Sequence, residues 1–139
     1  MKYKGLDYTT KEWIMFNDKN ILTHTLALEG YTARVRVRGK VYTVLSKTIC
    51  NLTSYKDFSG NDIYDKDFLQ YETYNASTGA NIYHIRQIHK AKDNKYYLGK
   101  AAGFSKVLLQ DLFSMSILNA KVIGNKHKNP LKEGNYPHP

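Results

Sequence analysis

Residues 54–71, SYKDFSGNDIYDKDFLQY, are the stretch whose reading decides the fold. At its centre Asp57, Ser59, Gly60, Asn61 and Asp62 crowd together. Glycine and asparagine tolerate φ > 0, and aspartate, serine and asparagine side chains bond to the local backbone, so this cluster is a turn. Thr48-Ile49-Cys50-Asn51-Leu52-Thr53 leads in and Asp67-Phe68-Leu69-Gln70-Tyr71 leads out, and both runs read as strands. The reversal at Ser59-Gly60-Asn61 therefore sets the register of a β-rich domain, with Ile63 and Tyr64 turning back toward the core. Asp57, Asp62, Asp65 and Asp67 do not meet the spacing of a calcium loop. Asx-type bonding to the turn backbone accounts for these acids, and no metal is expected.

Upstream, residues 31–45 read as a hairpin. Arg34, Arg36 and Arg38 alternate with Val35 and Val37, a period of two that gives one wet and one buried face. Gly39-Lys40 reads as a two-residue type II′ loop, which pairs Val37 with Tyr42 and Val35 with Val44. Residues 2–8 form a short first strand. Trp13-Ile14-Met15-Phe16, an apolar run between turn signals, reads as a strand buried on both faces, with Trp13 as a core anchor. Residues 21–28 are ambiguous.

Downstream, residues 82–91 and 96–99 make a second hairpin around Lys92-Asp93-Asn94-Lys95. His84 and His89, five apart on a strand, point to opposite faces and do not share a metal. Ser105 caps a short helix running to about Met115, with a strand reading of Val107-Leu108-Leu109 as the alternative; residues 117–123 form a last strand, and residues 125–139 form an extended, loosely held tail. The fold class is mainly β, a β-rich α+β chain: a small antiparallel barrel-like sheet with one short helix near the C-terminus. Residues 1–124 form a single domain.

The chain has 139 residues, with 21 Lys plus Arg against 12 Asp plus Glu, a formal charge of +9. Such an excess concentrates anions at the surface. Two clusters are candidates for an anion or nucleic-acid ligand. One is the strand carrying Arg34, Arg36 and Arg38 with Lys40, whose arginine forks suit phosphate along about 14 Å of strand. The other mixes bases and aromatics on the second hairpin: Arg86, Lys90, Lys92, Lys95, Tyr96 and Tyr97. Each also reads as an ordinary solvated or tyrosine-packed strand surface. Cys50 is the only cysteine and sits in a strand-like run, so it reads as a small buried hydrophobe in a reducing compartment. The N-terminus has no apolar leader and no segment reaches the ~20 apolar residues of a membrane span, so a soluble, cytoplasmic protein without membrane contact is expected. Gly-rich phosphate loops, nucleophile elbows and zinc spacings are missing, so neither catalytic residues nor a cofactor is expected.

Tyr55-Lys56-Asp57-Phe58-Ser59-Gly60-Asn61-Asp62-Ile63-Tyr64-Asp65-Lys66-Asp67 resembles the signature segment of the YopX family, small proteins of temperate phages and prophages. Two further blocks agree in the family's order. Asp7 with Thr10-Lys11-Glu12-Trp13 is similar to its N-terminal block, and Ala120-Lys121-Val122-Ile123-Gly124-Asn125 followed by Asn129-Pro130 is similar to its C-terminal one. Lys66 departs from the pattern, because the family commonly has glycine before the last aspartate. If that position takes φ > 0, lysine strains the bend.

The resemblance implies a mostly β, barrel-like fold, a phage origin and hence a host-cell cytoplasm, and it implies no catalytic residue. Two functions stand open on these readings. One is a non-enzymatic phage accessory protein that binds nucleic acid or a nucleotide in genome management or counter-defence. The other is a protein-binding inhibitor of a host factor such as a defence nuclease, with tyrosine and arginine as anchors. An enzyme is the lesser alternative.

Overall fold

The computed structural model describes residues 2–27, 30–99, 107–114 and 119–137. Backbone proximity gathers the chain into two units, Met1–Leu52 and Thr53–Pro139.

In the first unit β1 (Lys2–Leu6) and β2 (Trp13–Asn17) pair antiparallel, from Lys2 opposite Asn17 to Leu6 opposite Trp13. Asp7 builds their turn, its carboxylate accepting the Thr9 and Thr10 N–H groups at 3.1 and 2.9 Å. β2 ends its sheet, which changes the reading of its apolar run. Ile14 and Phe16 pack with the core, whereas Met15 is 57% exposed and Trp13 is half-buried outside it. Strand alternation sends every other side chain away from the core, and an unbroken apolar run does not say whether the second face is covered. Asn17 then caps a 3-10 turn, Asp18–Asn20, its Oδ1 accepting from Lys19 N at 3.0 Å.

β3 (Ile21–Ala27), β4 (Gly30–Val37) and β5 (Lys40–Leu45) form a three-stranded sheet in that order. Val35 and Val44 are fully buried and join Phe16 in this unit's core, with Ile14, Val37 and Tyr42 packed against them. The hairpin register differs from the expected one. Its loop is Arg38-Gly39, both with positive φ (53° and 79°), a type I′ turn rather than type II′. Val37 therefore faces Lys40 and Val35 faces Tyr42. A slip of two residues keeps every strand side chain on its expected face, so Arg34 and Arg36 are still outside and Val35 inside.

β6 (Cys50–Lys56) starts in this unit, with Cys50 opposite Lys4 and Asn51 opposite Tyr3. It starts later than expected, because Ser46–Thr48 is a 3-10 turn. The buried Thr48 hydroxyl donates to Leu45 O at 2.6 Å and accepts Leu6 N at 2.9 Å. Cys50 is fully buried, its thiol directed at Thr48 O.

In the second unit the chain reverses at the Asp57 turn, as expected, but the later residues of β6 pair with the short β7 (Asp62–Tyr64), and the run from Asp67 that was expected to lead out of the turn joins another sheet. β8 (Asp67–Asn75) and β9 (Ala80–Lys90) form a long hairpin from Phe68 opposite Gln87 to Asn75 opposite Ala80. β10 (Tyr96–Leu98) and β11 (Val107–Leu108) extend it beyond β9. The short helix α1 (Leu109–Ser114) follows β11 directly, because Val107 and Leu108 pair with Leu98 and Tyr97. Ser105 and Met115, the expected helix limits, lie outside the described residues, as do residues 117 and 118 of the expected last strand. β12 (Lys121–Asn125) pairs with β8 through a bulge between Val122 and Gly124.

β13 (Gly134–Pro137) pairs with β9, and the Tyr136 ring stacks on Tyr83 at 5.2 Å. The C-terminal segment is thus extended but not loosely held. Main-chain pairing to a sheet edge needs no hydrophobic alternation, so the sequence pattern does not announce it. Ile63, Leu69, Tyr71, Ile88, Leu98, Leu109 and Ala120 form this unit's core.

The β-rich class holds, with one short helix among the described residues. No sheet among them closes on itself, and one carries β13 as a branch on β9, so the barrel-like closure does not occur among the described residues. Alternation reveals which face of a strand is wet but not whether a sheet closes. Among the described residues no helix is long and apolar enough to cross a membrane.

Candidate anion-binding surface

β4 presents Arg34 and Arg36 to solvent on either side of the fully buried Val35. Their cross-strand neighbours on that outer face are Thr43 and Val41. Arg38 does not continue the row. At φ 53° in the turn it leaves the strand's alternation, and it lines a groove with Val37 and Tyr42 from the other face of the hairpin. Lys40 follows, its Nζ 5.0 Å from the centre of the Tyr42 ring. Among the described residues Arg34, Arg36, Arg38 and Lys40 form no ion pair. The groove has a volume of about 410 Å³ and is completed by Trp13, Ile14 and Met15 along the outer edge of β2. Lys4 Nζ stands 4.5 Å from the Trp13 ring centre. Sequence reading missed the exposure of Met15 and the place of Trp13 outside the core, because the edge position of β2 carries no local signal; Tyr42 packs against the core as expected and also lines the groove.

The second candidate cluster divides. One Arg86 nitrogen, Nη1, donates to the carbonyls of Ile85 and Gly134 at 2.9 and 2.6 Å, which ties β13 to β9. Lys90 and Tyr96 are cross-strand partners on the face that carries Ile88 and Leu98. Tyr96 packs on the core, and burial raises its phenol pKa. Tyr97 lies on the opposite face, where its hydroxyl donates to Asp93 Oδ2 at 2.8 Å; that bond raises the Tyr97 pKa and lowers that of Asp93, whose largest cause is the Lys95 N–H. Lys92 and Lys95 are exposed in the turn. His84 stacks on Tyr71 at 5.0 Å, and His89 Nε2 lies 3.6 Å from Glu133 Oε1, so the two imidazoles have separate surroundings.

Two of the four acids of residues 54–71, Asp57 and Asp67, hold backbone, whereas Asp62 pairs with Lys56 Nζ at 2.9 Å on the surface. Asp57 Oδ1 accepts from Ser59 N (3.0 Å) and Asn61 N (2.8 Å), and Oδ2 accepts from Val122 N at 3.1 Å. Burial pushes its carboxyl up, but the N–H donors of Val122, Asn61 and Ser59 together outweigh this and hold it below the usual carboxylate range. Phe58 N donates to Ala120 O at 2.8 Å. Asp67, fully buried, accepts from Tyr64 N and from Asn125 Nδ2, both at 2.8 Å. The central and C-terminal blocks of the sequence therefore meet through these two carboxylates. The Asx reading describes the bonds of Asp57 to Ser59 and Asn61; the bonds to Val122 and Asn125 are long-range and lie beyond it.

Lys66 has φ 70°, and its own N–H and C=O bond to Ile88 O and Lys126 N at 2.7 and 2.9 Å. A lysine in this left-handed conformation is strained, where glycine is not. Lys66→Gly is expected to stabilise the chain by about 0.5–1 kcal/mol, after the greater flexibility of glycine in the unfolded chain is subtracted. A rise in the urea midpoint checks this, and an unchanged or lower midpoint refutes it.

No curated protein and no solved structure matches the chain. A family model described as YopX protein matches residues 2–132 of its 139. The matched span contains Asp57, Asp67, Gly124 and Asn125, the residues that lock the second unit, and the chain belongs to the YopX family.

Proposed function

We propose that this YopX-family chain is a non-enzymatic phage accessory protein that binds a polyanion, nucleic acid above all, through Arg34, Arg36, Arg38 and Lys40. The observation that carries the reading is the pair of exposed arginines flanking a fully buried Val35, free of ion pairs among the described residues. Fork-shaped donors on a rigid strand suit phosphate, and without a neighbouring acid their charge is available to it. Genome management or counter-defence in the host cytoplasm is the setting that the family resemblance suggests.

Binding to single-stranded DNA is expected to weaken steeply between about 50 and about 200 mM salt. The variant Arg34→Ala, Arg36→Ala, Arg38→Asn removes three cations while asparagine suits the type I′ turn. It is expected to stay folded and to lower the slope of log affinity against log salt by about 2. Unchanged DNA retention by this folded variant refutes the reading. A second reading, an inhibitor that docks on a host protein, is favoured by Phe58, 69% exposed at the tip of the Asp57 turn. It predicts a protein partner whose binding responds mildly to salt and is lost on Phe58→Ser.

A further inference from the structure

We propose that the groove beside β2 takes an unstacked base and its phosphate from a single-stranded nucleic acid, so that the protein prefers single strand to duplex. The inference rests on the polyanion reading above and adds the part of the ligand that charge alone does not recognise. The groove's volume of about 410 Å³ falls within the ~300–1,000 Å³ of small-ligand sites. Its lining brings the aromatic residues Trp13 and Tyr42 and the exposed Met15 together with the cations Arg38 and Lys40, and none of its lining residues is acidic.

Aromatic residues together with cations complement an aromatic anion: the base stacks, and the guanidinium and ammonium hold its phosphate. Lys40, which lines the groove, has its ammonium 5.0 Å from the centre of the Tyr42 ring. A duplex keeps its bases paired and away from such a slot. A peptide adding to the β2 edge would use main-chain bonds and would have no need of these cations. The groove follows an open sheet edge, where a strand continues past the bound base, and this favours a strand over a free nucleotide.

Trp13 is the only tryptophan, so its emission reports on the groove. The full chain is titrated with a short oligothymidylate, an abasic strand of equal length, the corresponding duplex and thymidine monophosphate at equal nucleotide concentration. The oligothymidylate is expected to bind and quench Trp13, and the abasic strand to bind about tenfold more weakly without quenching. Tyr42→Leu and the surface variant Met15→Ser are each expected to weaken oligothymidylate binding severalfold and to leave abasic binding unchanged. Equal binding of both strands with unaltered Trp13 emission overturns the base slot and leaves polyanion binding standing. Failure of every strand to bind at low salt overturns both. A preference for duplex, equal quenching by the monophosphate, or a dimer seen by sedimentation that suppresses quenching also overturns the inference, the last by assigning the groove to a second copy.

Discussion

Asp67→Ala is expected to destabilise the chain by about 3 kcal/mol and to lower its urea midpoint by more than about 1 M. The carboxylate is fully buried and answers two buried donors, Tyr64 N and Asn125 Nδ2, at 2.8 Å each. Truncation leaves both without this acceptor, and each unsatisfied buried donor costs about 1–3 kcal/mol. Removing a buried charge recovers part of the desolvation cost, so the net loss is smaller than the sum. Asp67→Asn keeps the shape but places an NH₂ against one of the two donors, so an intermediate loss of about 2 kcal/mol is expected. Unfolding followed by far-UV circular dichroism measures both variants, and amide exchange at Tyr64 gives the local reading. A midpoint for Asp67→Ala matching the parent would show that the carboxylate does not hold this corner.

Gly124→Ala is expected to cost as much, about 3 kcal/mol, by a different mechanism. A Cβ there would collide with the backbone carbonyl oxygen of Asn129 and press on Leu131 at 3.2 Å. The carbonyl has little room to retreat. Asn125 and Lys128 exchange N–H···O bonds at 2.9 and 3.2 Å just before it, and Asn129 itself has φ 60°. Gly60→Ala is the control: its φ is 84°, but nothing lies within 4 Å of the added carbon, so it pays only the left-handed penalty of about 1 kcal/mol. If the two variants prove equally stable, the close approach is not what requires glycine at Gly124.

These two sites show where the sequence is legible. The Asp57 turn was readable because its chemistry is local: Ser59 and Asn61 lie within four residues of the carboxylate that they donate to. The inside-outside order of Arg34, Val35 and Arg36 was readable because a pleated strand alternates. The bonds from Val122 to Asp57 and from Asn125 to Asp67 span 65 and 58 residues, and nothing near either aspartate signals its distant partner. The candidate surface shows the same division. Residue type singled out Arg34 and Arg36, but Trp13, Met15 and Tyr42 became candidates only once β2 was seen at a sheet edge. Arg86 and Tyr96 had the right chemistry for a ligand, yet one is tied to carbonyls and the other packs on the core.

From its sequence alone this protein is a β-rich chain that resembles the YopX family and carries a net positive charge, because side-chain period, turn residues and net charge are properties of neighbours along the chain. Tertiary structure alone decided that the sheets stay open, that the arginine hairpin turns at Arg38-Gly39, that the C-terminal segment adds a strand, and that a groove lined by aromatic residues opens beside β2. The physical reason is that pairing, edge position and burial arise between segments far apart in sequence, where the energy of a contact depends on partners that no local pattern names.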